Sequence, residues 1–359
     1  MGHYSRSAKR DSHRVTRYVP RAVKLPLIHC VMVIAFTICI THSAAASLIV
    51  SDGSDGAFSG GGTLNLDADG IFNFTTITVP LGATLGFNGN ATNTPVVLAA
   101  TGDVIIDGTI DVSAGNYSGA PGPGGGHGGA NGVGAQPGTD GLGLRPGLGG
   151  PFMVPNPGAA GGGGGMATPG LVASARSNAF AAPGGGTIGF PGPVGGSGGG
   201  GGSGWVFFGV QLEGGVGGGG GGGLLVTTPA SIIVNGTILA NGGHGGWSFA
   251  NIFGFGGPGG GGSGGNVLLE ANAIALGPNA LIQSRGGFGG GLSTEPVPND
   301  PFFFSSGANG GQGFVFLSTP SRDIAPGAII DGVAVPLPAG IWLAATAFVG
   351  LGCWRRRAA

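Results

Sequence analysis

Three cysteines in 359 residues are the first scarcity, and their positions sharpen it: Cys30 and Cys39 lie in an apolar run near the start, Cys353 in another near the end. Disulfide staples and thiolate metal sites are therefore excluded from everything between. Charge is equally thin. Only 8% of residues are Asp, Glu, Lys or Arg, against about 25% in ordinary soluble domains, so a surface of salt-bridged helices is not available. Lysine is absent from Ser47 to Ala334, where four arginines stand against fourteen acidic residues for a net charge of −10. A body of that charge repels phosphate backbones, which excludes nucleic acid as a partner. What the chain has instead is 87 Gly and 25 Pro, close to a third of its length. Without a strict three-residue period this is not collagen, and it is poor material for helices.

Within that composition one stretch repeats. Leu224 to Gly243, LLVTTPASIIVNGTILANGG, slides back by 128 positions onto Val96 to Gly115, with Gly-Thr-Ile in register at Gly108 and Gly236. It slides forward by 43 onto Val267 to Gly286, and a weaker copy starts at Val315, 91 positions on. Each copy reads without gaps as a short apolar strand, a polar corner, a second strand of alternating branched residues, a Gly turn and a third short strand. Units that cannot bury an apolar face alone must stack, so the expected fold is all-β, a parallel β-helix or solenoid. Ser47 to Asn93 reads as its capping turn and first rung, with strands at Thr63–Leu66, Phe72–Val79 and Ala83–Phe87. The body resembles Gly-rich right-handed β-helix proteins.

Three Gly-rich stretches interrupt the repeats at equivalent points: 116–223, the longest, then 242–265 and 286–313. Such loops are expected to be flexible or to pack as extended polyproline II strands, and insertions at one point of every repeat form a fringe along one edge. The Phe302, Phe303 and Phe304 triplet in the last of them is expected to fold back over the solenoid.

Candidate chemistry is sparse. His127 and His244 each sit in Gly-His-Gly, a tripeptide similar to one in β-helical pectin hydrolases. Those enzymes also need paired aspartates and an Arg-x-Lys, which a body without lysine or an Asp-Asp dipeptide does not supply. Asp103, Asp107 and Asp111 recur every four residues and would share a face on an unbroken strand, as Ca²⁺ ligands or an acid and base would. Their counterparts one repeat on are Ser231, Asn235 and Leu239, so they read as corner residues. The Asp52–Asp55 and Asp67–Gly70 turns are too short for an EF-hand loop, and no Gly-Lys-Ser or Gly-Lys-Thr accompanies the glycine runs to make a P-loop. No catalytic, cofactor-binding or metal-binding residue is expected, and no cofactor. Two alternatives remain: a β-helical polysaccharide lyase or hydrolase, and a ligand- or ice-binding surface on a flat rung face. For the latter, Thr109 and Thr237 align but Ala280 breaks the ladder.

The two ends carry an address. Residues 1–46 run from basic through apolar (Leu25 to Ile40) to small, the order of a secretory signal peptide, with Ala44 and Ala46 at the expected cleavage site. Residues 47–334 form the body. Residues 335–359 comprise a Pro-rich kink, sixteen mostly apolar residues from Ala339 to Trp354 and then Arg355, Arg356 and Arg357. As a helix that apolar run would be about 24 Å long, short of a bilayer's hydrocarbon core. Val335, Pro336, Leu337, Pro338 and Ala339, followed by an apolar transmembrane-like span and an Arg cluster, resemble the VPLPA variant of the PEP-CTERM sorting signal recognised by exosortases. The resemblance implies that Val335–Ala339 is a recognition and processing motif and that the three arginines are the basic stop. It further implies an exported, non-catalytic structural or adhesive protein of a Gram-negative cell surface or extracellular matrix, associated with biofilm. Its expected partners are an exosortase-type enzyme, exopolysaccharide or neighbouring copies, and the membrane before processing.

Overall fold

In the computed structural model the described residues are 49–152, 158–173, 182–189, 192–248, 250–251, 254–291 and 306–334. They belong to one compact unit, Ser47–Leu337; the other unit, Met1–Ala46 with Pro338–Ala359, lies outside them. The described unit is all-β, and its framework is three parallel sheets of six strands.

The chain visits the three sheets in strict rotation, which makes it a parallel β-solenoid. The first face holds Ile71–Phe74, Val96–Ala100, Leu224–Thr227, Val267–Glu270, Phe314–Ser318 and Val333–Ala334. The second holds Ala57–Ser59, Thr76–Val79, Val104–Ile106, Ser231–Val234, Ala273–Leu276 and Ser321–Ile324. The third holds Gly62–Asn65, Thr84–Asn88, Thr109–Asp111, Thr237–Leu239, Leu281–Gln283 and Ile329–Asp331. Alternation along each strand sends every second side chain inward, where like stacks on like. Ile77, Val104, Ile232 and Ile274 form one such ladder on the second face, and Leu85, Ile110, Ile238 and Ile282 another on the third. All eight are buried, and each contributes about 1.5–3 kcal/mol by leaving water.

The N-terminal region is longer than one rung. Phe72–Val79 is not a single strand: it turns at Thr75 from the first face to the second, and the strands at Ala57–Ser59 and Gly62–Asn65 supply two faces of an earlier coil. Aromatic rings fill this end of the core, with Phe74 5.3 Å from Phe58 and 5.9 Å from Phe72, and Phe72 6.2 Å from Phe87.

Corner chemistry explains both the Gly-Thr-Ile signature and where the gapless repeat fails. The amides of Asn235 and Gly236 both donate to the Ile106 carbonyl at 2.9 Å, as those of Asp107 and Gly108 do to Val79. A Cβ on Gly236 would collide with the Gly108 carbonyl oxygen, so this corner is closed to other residues. In the next coil the same corner is Gly277 to Ala280, two residues longer, while the preceding corner is one residue shorter. The uniform shift of 43 is therefore right only on the first face, Leu224 to Val267; it is 42 on the second, Ser231 to Ala273, and 44 on the third, Thr237 to Leu281. The shift of 128 holds on all three faces. It follows that the threonine ladder is Thr84, Thr109 and Thr237, and that Leu281, not Ala280, ends it.

The described parts of the Gly-rich stretches take the second of the two expected forms, packed polyproline II strands. Gly126, Gly129 and Gly132 donate to Gly196, Gly199 and Gly202, which donate in turn to Gly221, Gly218 and Gly215, and Gly220, Gly217 and Gly214 donate back to the first set. Every third amide engages the same neighbouring segment, the period of a polyproline II helix. Further glycine segments join in the same way: Gly218 donates to Gly260, Gly262 to Gly243, Gly287 to Gly262 and Gly310 to Gly287. Most of these glycines are buried. The result is a second packed body in which main chain replaces side chain as the filling. Two antiparallel strand pairs lie within the stretches, Trp205–Phe207 with Val210–Leu212 and Ala250–Asn251 with Gly254–Phe255.

Candidate functional site

The three recurring aspartates are brought to three different places. Asp103 precedes the second face, and its Oδ1 accepts from Ser231 Oγ at 2.6 Å and from the Ser231 amide at 3.2 Å. The Ser231 side chain, then its amide, holds this carboxyl below the usual carboxylate range. Asp107 sits in the corner and accepts from Asn235 Nδ2 at 2.8 Å, while Asp111 accepts from the Ser113 amide at 2.8 Å. They are clamps between coils and within a turn. The acidic turns near the start are of the same kind: Asp52 accepts from the Ser54 amide, Asp69 from Ile71, and Asp55 from Asn73 at 2.6 Å. Among the described residues no three His, Cys, Asp or Glu side chains gather as they would to hold a metal ion.

The two histidines differ. His127 lines an open cleft of about 410 Å³ with Thr92, Asn93, Leu142, Leu144 and Val194, a lining that contains no carboxylate. His244 is the centre of a row of rings. The Tyr117 ring lies 5.6 Å from it on one side and the Phe288 ring 5.2 Å on the other, nearly parallel at 22°. Trp247 stands 6.5 Å from Tyr117. Tyr117, Trp247 and Phe288 are 50%, 52% and 65% exposed. Their backbones are tied together: the Asn116 side chain accepts from the His244 amide at 3.2 Å, the Tyr117 amide donates to the His244 carbonyl at 3.0 Å, and the Phe288 amide donates to His244 Nδ1 at 2.8 Å. An accepting Nδ1 puts the ring proton on Nε2. Burial pushes the His244 pKa down.

A polar ladder runs beside this row. Asn241 donates to Gln283 Oε1 at 2.8 Å and accepts from the Arg285 amide at 2.9 Å, and Arg285 forms an ion pair with Asp331. The sequence reading singled out His244 but missed the rings around it. The signal was available: His244 and Phe288 both follow the first residue of a third-face strand by seven positions, and Tyr117 follows one by eight.

A second feature is on the outer side of the first face. Ile71, Val97, Leu225, Leu268 and Phe316 pair in register there, and form an apolar cluster with Ile49. Two residues further along lie Thr227, Glu270 and Ser318. Glu270 is only 5% exposed, and burial pushes its pKa up.

Ala44 and Ala46, the motif Val335–Ala339, the basic stop Arg355–Arg357 and the Phe302–Phe304 triplet lie outside the described residues. Among the described residues no helix is long and apolar enough to cross a membrane. Comparison of the chain with protein-family models, with curated proteins and with solved structures returns no match.

Proposed function

We propose that the protein is an exported, non-catalytic structural or adhesive component of a Gram-negative cell surface or extracellular matrix, sorted through residues 335–359 and associated in place with exopolysaccharide. The observation that carries this reading is the tripartite order at the C-terminal end: Val335–Ala339, an apolar span, and Arg355–Arg357. The body is suited to such a role. Its stability comes from stacked apolar ladders and a hydrogen-bonded glycine body, neither of which depends on disulfides or a reducing compartment. Asp103 and Asp107 are engaged in fastening coils.

The test is intact mass and terminal peptide mapping of the protein from envelope and extracellular fractions of its native host. A species beginning near Ser47 and lacking everything after the Val335–Ala339 motif is expected. A dominant form that still contains Trp342 to Arg357 would overturn the sorting reading and leave an anchored envelope protein.

A further inference from the structure

We propose that the solenoid is open at both ends and that each end receives a second copy of this chain, so that molecules stack head to tail into one continuous coil. The inference deepens the structural role proposed above, on which its place in a matrix rests, by naming the partner and the surfaces that meet.

The first argument is the rotation of the faces. Among the described residues one end of the three sheets is formed by Ala57–Ser59, Gly62–Asn65 and Ile71–Phe74, and the other by Ser321–Ile324, Ile329–Asp331 and Val333–Ala334. The last of these strands in the chain lies on the first face and the earliest on the second, the next face in rotation. A following copy in the same orientation therefore continues the coil with no face skipped and every new pair parallel. The first face does not obstruct it. Val333 and Ala334 pair with Phe314 and Val315 at the beginning of a strand, whereas Asp55 and Gly56 bond to Asn73 and Thr75 at and just past the end of one, so the two partial strands occupy different stretches of one level. All four residues of Ser321–Ile324 are exposed, and an uncovered edge of this kind templates a further strand.

The second argument is the rows that meet. Inside the body the coils are fastened by a carboxylate on the earlier coil that accepts from a donor on the later one, Asp103 from Ser231 and Asp107 from Asn235. The last coil again presents carboxylates, and the first presents hydroxyls. On the second face the row Ser59, Thr78, Ile105, Ile233, Ala275 and Asp323 brings Ser59 of the next copy onto Asp323. On the third, the row Thr63, Gly86, Asp111, Leu239, Gln283 and Asp331 brings Thr63 of the next copy onto Asp331. Ser59, Thr63 and Asp323 are exposed, and both contacts repeat the chemistry and the polarity of the internal clamps.

The third argument selects the occupant. Arg322 stands in the inward row of Ile77, Val104, Ile232 and Ile274, and its Nη2 donates to the Leu317 carbonyl of the first face at 2.7 Å. A cation in an inward row is a barrier to an aliphatic partner. The same row, however, begins with Phe58, whose ring lies 5.3 Å from that of Phe74. In a head-to-tail stack the Phe58 ring comes to rest on Arg322, a cation–π contact. The other end of this same chain is thus the partner that the arginine accepts.

The experiment is oxidative cross-linking of the purified full chain. Its body has no cysteine, so after Cys30→Ser, Cys39→Ser and Cys353→Ser each pair tested contains the only two thiols. Ser59→Cys/Asp323→Cys and Thr63→Cys/Asp331→Cys are matched pairs; Ser59→Cys/Asp331→Cys places the thiols on different faces. Within one molecule Ser59 and Asp323 lie at opposite edges of a six-stranded sheet, about 24 Å apart, beyond the roughly 7 Å that a disulfide spans between Cα atoms. A bond therefore reports two copies. Both matched pairs are expected to give a ladder of dimers, trimers and longer species on non-reducing gels, and the mismatched pair to stay monomeric. In sedimentation velocity Ser59→Asp, which sets two carboxylates opposite each other, is expected to dissociate the stack, and Ser59→Asp/Asp323→Lys to restore it; melts matching the parent verify the fold. Monomer from both matched pairs would overturn the proposal, and so would a ladder from the mismatched pair, the sign of association through the apolar termini or by collision. So would a Ser59→Asp variant that sediments as the parent does. None of these outcomes touches the sorting reading, which is decided by terminal peptides.

Discussion

Replacing Gly262 with alanine adds one methyl group to a chain with 87 glycines, yet the packing makes it a severe change. Gly262 is buried; its amide donates to the Gly243 carbonyl at 3.0 Å, and its own carbonyl accepts from Gly287 at 2.8 Å. A Cβ there would run into the Gly219 carbonyl oxygen, which is backbone and has no side-chain freedom to give way. Moving the segment outward breaks the two hydrogen bonds and leaves their partners buried, at about 1–3 kcal/mol each. The opposing gain from a stiffer unfolded chain is only about 0.4–1 kcal/mol. Gly262→Ala should therefore destabilise by about 1–5 kcal/mol. Gly189 is the control, because it is exposed and a Cβ there meets nothing within 4 Å; Gly189→Ala should be neutral or stabilising by a few tenths of a kcal/mol. Urea denaturation followed by tryptophan fluorescence gives both values, and hydrogen exchange of the peptide around Gly262 reports the local bonds. If the two variants match wild type and each other within about 0.5 kcal/mol, the size of an ordinary surface substitution, the glycine segments are not a packed body and the reasoning fails.

Three further outcomes can be measured on the same protein. Glu270 has its pKa raised by burial, so its contribution to stability is full below its ordinary value and is lost as pH rises through the folded value. Glu270→Gln should accordingly gain stability over wild type between pH 4.5 and 7 in parallel melts, and a constant difference across that range would contradict the assignment. His244 has the opposite sign for a base: its pKa is lowered, so the stability it contributes is present above its ordinary value and falls as pH drops through the folded value, when Nδ1 is protonated and can no longer accept from Phe288. Melts at pH 7.5 and pH 5 should separate wild type from His244→Asn, with a smaller pH dependence in the variant. Asp107→Ala removes the acceptor of one exposed side-chain bond from Asn235 and should cost about 0.5–1 kcal/mol. A loss several times larger would show that this corner has a role beyond fastening two coils.

The solenoid was legible before any coordinates because its determinants are local. Branched residues alternating at period two, as in Ser231–Val234, and a Gly after Asp107 or Asn235 specify a strand and a tight corner by sterics alone. Likewise, a shift of 128 positions preserves corner lengths, so register could be counted along the chain. Where corners change length, as at Gly277 to Ala280, counting fails, because pairing follows the buried ladder and not the residue number. Ile232 pairs with Ile274 for that reason.

The sequence by itself determined the coil, its apolar interior, and a body from Ser47 to Ala334 that has no cysteine to form a disulfide and is acidic and free of lysine, all of which follow from side-chain chemistry and spacing. Only the tertiary structure decided what the glycines do and which rings stand together. A glycine has no side chain to declare its partner, so whether Gly126 meets Gly196 or solvent depends on how distant segments are laid side by side. Tyr117, His244 and Phe288 are separated by 127 and 44 positions, and become neighbours only because stacked strands bring successive coils about 4.8 Å apart.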